Sequence, residues 1–202
     1  MKQEKKQKRV QPTKKKEESL SYSVEVRDKE GRVIQRISAP SRSYVEQWNQ
    51  ILNVQASQIS KTVKDTGGTD RSVQAYSFNL NVGYAIGEIK IGIRVGKGTT
   101  AVAITDYALE TPLVEGTGTD EFNHQAQTFT EPAVVGSTCS FTVKRIMVNN
   151  SGATISGIRE IGCYIWMWPA YYALGFRDVL PSAVYVPHGG SITVTYTIKV
   201  TV

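Results

Sequence analysis

The chain has 202 residues, with 24 Lys or Arg, 18 Asp or Glu, two Cys and two His, and a formal net charge of +6. Two cysteines exclude a disulfide framework and a zinc site made of cysteine alone. No run of about 18 apolar residues is present, which excludes a spanning helix, and a lysine-rich start without an apolar core segment behind it leads us to expect no secretory signal.

The charge is concentrated at the start. Lys2, Lys5, Lys6, Lys8, Arg9, Lys14, Lys15 and Lys16 face only Glu4, Glu17 and Glu18, so the first eighteen residues carry +5 and the remainder, 16 basic against 15 acidic, about +1. A like-charged segment of low hydrophobicity cannot bury enough apolar surface to offset its ordering entropy. Residues 1–19 are therefore expected to form a basic, disordered N-terminal arm. It carries no interleaved aromatics, so any contact with nucleic acid would be to phosphate, non-specific in sequence. Two readings of the arm stand: a solubilising tail, or a tether to genome or to an acidic neighbour. Residues 20–202 have the length of one ordinary domain.

That body opens with Tyr22, Val24 and Val26 alternating with polar residues, a turn at 28–31, and a partner strand over 32–37, which predicts a hairpin. The period then changes. Tyr44, Val45, Trp48, Ile51 and Leu52 share one helical face, and Ser43 with Glu46 has capping-box spacing, so a helix is predicted over 43–57. Strands follow at 72–82, at 89–95, where Ile89, Ile91, Ile93 and Val95 alternate, and at 137–148, 153–166, 183–186 and 191–202. Thr105 and Asp106 can cap one helical turn, and residues 115–130 read as a long polar surface loop. If 149–152 closes a tight hairpin, Cys139 lies near Cys163. The two thiols are read as reduced core residues, with a cross-strand bridge left open. The pattern as a whole predicts a mainly β body, an antiparallel β-sandwich or jelly roll with one amphipathic helix.

Catalytic chemistry finds little support. His124 and His188 lie in no nucleophile or metal-ligand motif and are read as isolated surface histidines. Gly96-Lys97-Gly98-Thr99-Thr100 lacks the Walker spacing and reads as a strand-connecting turn; Asp65-Thr66-Gly67-Gly68-Thr69-Asp70 lacks the EF-hand pattern and reads as another. We expect no enzyme, no cofactor, no metal, no membrane contact and no small-molecule substrate. The apolar run 163–174 is too uniform for a half-exposed strand, and Pro169 is expected to end regular pairing. Trp166, Trp168, Tyr171, Tyr172 and Phe176 are the candidate interface, with burial in the core as the other reading.

Val95-Gly96-Lys97-Gly98-Thr99-Thr100, followed by Asp106, Leu109 and Pro112, resembles a segment of structural proteins of tailed bacteriophages. Phe141 to Arg145, Asn149-Asn150-Ser151-Gly152 and Glu160-Ile161-Gly162 are similar to the segment that follows it. Arg177-Asp178-Val179-Leu180, Gly189-Gly190 and the terminal Thr/Val strand are similar to the C-termini of such proteins. The resemblance spans 91–202, about half the chain. It implies a virion component of the capsid, the head-to-tail region or the tail, made in the host cytoplasm, that associates with copies of itself and with other virion proteins. Two further readings stand beside it: a jelly-roll shell subunit whose arm neutralises genome, and a tail-associated receptor or carbohydrate-binding module using Trp166, Trp168, Tyr171 and Tyr172.

Overall fold

The structure, a computed structural model, describes residues 18–41 and 43–201. All eight cations of the predicted arm lie outside the described residues. In chain order the elements are β1 (Glu18–Arg27), β2 (Val33–Ser41), α1 (Glu46–Ser57), β3 (Lys61–Lys64), β4 (Asp70–Val73), β5 (Gly92–Gly96) and β6 (Val114–Glu115). They continue with β7 (Glu121–His124), β8 (Thr128–Phe129), β9 (Ala133–Val135), β10 (Thr138–Val148), β11 (Ile155–Met167), β12 (Tyr171–Val186) and β13 (Ser191–Thr201).

The fold is mainly β, as expected, and is built as a sandwich. The larger sheet runs β2-β1-β13-β10-β7-β6, with β8 and β9 also pairing β10; the smaller runs β12-β11-β5; β3 and β4 form a separate hairpin. Among the described residues all strand pairings are antiparallel except β6 with β7. Strand alternation aims Val24, Val26, Val143, Met147, Ile192, Val194 and Tyr196 of the larger sheet at Ile93, Val95, Ile158, Ile161, Cys163, Phe176, Leu180 and Val184 of the smaller, forming one buried layer. A second cluster lies under α1, where Ile51 meets Val63, Val73, Ile165, Met167 and Ala173.

The first hairpin forms as predicted. Asp28 Oδ1 accepts from the backbone of Glu30 and Arg32, and Gly31 adopts φ +80°. The helix starts at Glu46 rather than at residue 43 because the preceding backbone is engaged elsewhere. Val45 N donates to Gly175 O, Arg177 N donates to Ser43 O, and Tyr44 bridges Phe176, so residues 43–45 extend the β12 edge. Ser43 Oγ lies 2.6 Å from Ser41 Oγ and does not cap the helix. Trp48 packs over Gly175, where a Cβ would fall 3.2 Å from the indole, and against Phe176 at 5.8 Å between centroids.

Four expectations are corrected. Residues 72–82 form a strand only to Val73, because the buried Asn79 side chain donates to Gln74 O and Gln55 Oε1 and ties the following backbone into turns. The strand expected over 89–95 starts at Gly92, which adopts φ +92° with the Gln127 amide where a Cβ would be. Pairing of β11 does stop before Pro169, which sits in the turn, but it resumes at Tyr171, so the strand expected over 183–186 is one long strand over 171–186. Residues 149–152 form an arch between sheets and not a hairpin.

The arch is organised by Asn149, which is fully buried. Its Nδ2 donates to Ala153 O and Val186 O, each at 2.8 Å, its Oδ1 accepts from Ser151 N and Oγ, and its backbone exchanges bonds with Gly189 and Gly190. The chain is thereby turned from the larger sheet into the smaller. Cys139 accordingly pairs with Val200 and Val134, Cys163 with Phe176 and Ile93, and both thiols are free. Replacing Asn149 with Ala should leave the buried Val186 carbonyl at the end of β12 without its donor and release the arch at Ala153 and Ser151. The expected loss is about 2–4 kcal/mol in urea unfolding, whereas Asn150→Ala, at an exposed neighbour, should cost under about 1 kcal/mol.

Candidate functional site

Charged and aromatic side chains collect in three places. The first joins the small sheet to the long connection 97–113. Glu160 on β11 is fully buried and carries four donors: Gly98 N (3.1 Å) and Thr111 N (2.7 Å) on Oε1, Glu110 N (3.0 Å) and Arg177 Nε (3.0 Å) on Oε2. Arg177 on β12 also donates Nη1 to Asp106 Oδ2 at 2.9 Å and places Nη2 3.5 Å from Glu110 Oε2. Burial opposes the guanidinium charge, but its bonds to Glu160 and Asp106 outweigh that and hold its pKa above the usual value.

The glycine-rich turn is shaped by the same carboxylates. Glu110 accepts from Thr99 N, Thr100 N and Thr100 Oγ1, bonds that hold its carboxyl below the ordinary range. The backbone N–H groups that could cradle a phosphate are thus occupied by the chain's own carboxylates. A Cβ on Gly98 would lie 2.5 Å from Glu110 Cβ and 2.7 Å from Glu160 Cδ, which explains why glycine stands there. Asp106, expected to begin a helical turn, is drawn instead to Arg177 and to Ala103 N. With four donors on its two oxygens, Glu160 has no lone pair free to act as a base. This arrangement locks a loop to a sheet.

The second place is His124. Residues 115–130, read as a polar loop, contain β7 and β8, and the sequence-based placement of His124 at the surface is overturned: its side chain is fully buried. Phe122 and His124 point into the sandwich, so the segment belongs to the sheet. His124 Nδ1 lies 2.8 Å from Glu115 Oε2 and 3.1 Å from Phe122 O, the arrangement of an Nδ1–H donor, while Nε2 is buried without a hydrogen-bond partner. Burial, together with the nearby Arg145 charge, pushes the imidazole down to about 4. Arg145 is buried beside it, donating to backbone oxygens of Gln125, Glu88 and Ile93, and burial brings its pKa down to about 10. His188, by contrast, is exposed and accepts from Gly152 N.

The third place is the aromatic end of the β11–β12 hairpin, where the five candidate interface residues separate. Trp166 and Trp168 are half-buried in a four-ring group with Tyr76 and Phe78; the Tyr76 and Trp168 centroids are 4.3 Å apart, and Phe78 is 56% exposed. Tyr171 lies under the Arg71 guanidinium at 4.3 Å, and Tyr172 lies 6.0 Å from Lys90 Nζ. Phe176 is buried between Trp48 and Tyr196 and belongs to the core. Tyr76 and Phe78 escaped the sequence reading because they alternate with small and polar residues, as an ordinary strand would.

Comparison of the chain with protein-family models, curated proteins and solved structures found no match.

The charge network and the histidine each yield a measurable outcome. Glu160→Ala should leave Arg177 buried without its main partner and cost about 3–5 kcal/mol in urea unfolding, while Tyr185→Ala, at an exposed β12 site, should stay within about 0.5 kcal/mol. For His124 the ordinary value is 6.5 and the folded value about 4. As pH falls through that window the unfolded chain takes up a proton that the native state excludes. Stability is therefore full above about pH 6.5 and declines by about 3 kcal/mol by pH 4. Urea midpoints measured across this window should fall less in His124→Gln than in the parent chain.

Proposed function

We propose that the chain is a non-enzymatic virion structural protein of phage type, which assembles through its β-sandwich and uses the basic N-terminal segment as a tether. The observation that carries this reading is the uncovered apolar rim of the larger sheet. On the three-residue β9, Val134 and Val135 are 73% and 79% exposed, and Phe129 on the neighbouring β8 is exposed as well. Short strands presenting large apolar side chains to solvent tend to acquire a partner, and sheet edges do so through backbone pairing. Symmetric association of copies, or a seat on another virion protein, would cover that rim.

The charge distribution supports the same reading. A body near neutrality carries an N-terminal segment of +5, whose cations suit packaged nucleic acid or an acidic neighbour equally. The charged groups of the Glu160–Arg177 network are consumed in holding the fold, and His124 is enclosed, so neither supplies a free acid, base or nucleophile. The resemblance over 91–202 adds a phage context.

Deleting residues 1–17 should leave the unfolding midpoint of the body within the error of the measurement and abolish incorporation into particles. Particle images and copy number per particle check this. Normal incorporation of the truncated chain would reduce the segment to a solubilising tail. Loss of packaged nucleic acid from otherwise intact closed shells would instead identify a genome-neutralising shell subunit.

A further inference from the structure

An open cleft of about 430 Å³ lies between the β11–β12 turn and the β3–β4 hairpin. This volume falls within the range of small-ligand sites, roughly 300–1,000 Å³. Its walls carry two aromatic side chains, Trp168 and Tyr171, and a rim of uncharged polar ones, Ser60, Ser72 and Gln74. We propose that this cleft is a binding site for a neutral carbohydrate, with Trp168 as the stacking platform and Ser72 and Gln74 as hydrogen-bonding groups.

The platform is held in place before any ligand arrives. Trp168 N donates to Asn79 Oδ1 at 2.8 Å, Asn79 is itself buried, and Tyr76 packs against the indole. A fixed aromatic ring offers apolar area at little cost in conformational entropy. Tyr171 is held in turn by Arg71, whose guanidinium is bonded to Asp65 Oδ2 at 2.6 Å.

Charge selects the ligand class. Arg71 is neutralised by Asp65 and Asp70 by Lys64 at 2.9 Å, so both charges bordering the cleft are already paired. With each cation balanced by a carboxylate, the rim offers no net charge to favour an anion or an amine. The remaining groups are an aromatic wall, two hydroxyls and a carboxamide, which together donate and accept hydrogen bonds. A pyranose ring matches them with its apolar C–H face and its hydroxyl edge. Trp166 and Tyr172, named with Trp168 and Tyr171 from the sequence, do not line the cleft.

Sugar binding stands apart from the virion role and is measured on the isolated full chain. Calorimetric titration with glucose-, galactose- and N-acetylglucosamine-based oligosaccharides, with sialyllactose and inorganic phosphate as charged counterparts, tests it. At least one neutral oligosaccharide should bind, with affinity reduced roughly tenfold or more by Trp168→Ala. Because Trp168→Ala can loosen the aromatic group, Gln74→Ala and Ser72→Arg, both at exposed positions, serve as second variants and should weaken the same ligand with unchanged melting behaviour. Absence of binding by every neutral probe, binding by charged probes alone, or binding indifferent to all three variants would overturn the assignment.

Discussion

The buried pair of Glu160 and Arg177 is the constraint around which the smaller sheet and its long connection are arranged. Placing a carboxylate and a guanidinium in the interior costs several kcal/mol for each ion unless hydrogen bonds replace the lost water. Glu160 recovers them from the backbone of residues 98, 110 and 111, so the connection must fold back onto β11 and β12. The glycine at 98, the threonines that bind Glu110 and the aspartate at 106 follow from that demand. The glycine-rich stretch 96–100 is, in physical terms, part of a loop wrapped around two buried charges.

A second polar centre decides how the layers relate. Asn149 satisfies carbonyls of the arch itself and of the end of β12, and its backbone engages the turn before β13. One buried amide thereby joins three passages of chain where both sheets end. Hydrophobic burial drives the layers together without direction, and the directional bonds of Asn149, Glu160 and Arg177 select which strands meet. The aromatic hairpin end lies beyond this frame, held by Asn79, and carries the exposed rings and the cleft.

The legible parts of the sequence were those with an unbroken local period. The β1–β2 hairpin, α1, β10, β11 and β13 were read near their observed positions because two-residue or helical alternation reports which face is buried. The misread parts have a long-range cause. Residues 74–81 carry strand-like residues but are held in turns by Asn79, whose partners lie on α1 and the β11–β12 turn. His124 sits in a polar stretch and is buried because β7 pairs with β10. Phe176 has the composition of an interface residue but belongs to the core, between a helix and a strand distant in sequence.

By itself, the sequence determined a mainly β chain with one amphipathic helix, two cysteines without a disulfide framework, and a charge imbalance concentrated in its first eighteen residues, since composition and local alternation carry that information. Only the tertiary structure decided that the 149–152 turn crosses between sheets, that Glu160 and Arg177 are partners, and that Trp168 faces the β3–β4 hairpin across a cleft. Those outcomes depend on which buried polar group meets which carbonyl or carboxylate across tens of residues, and no local period encodes such a pairing.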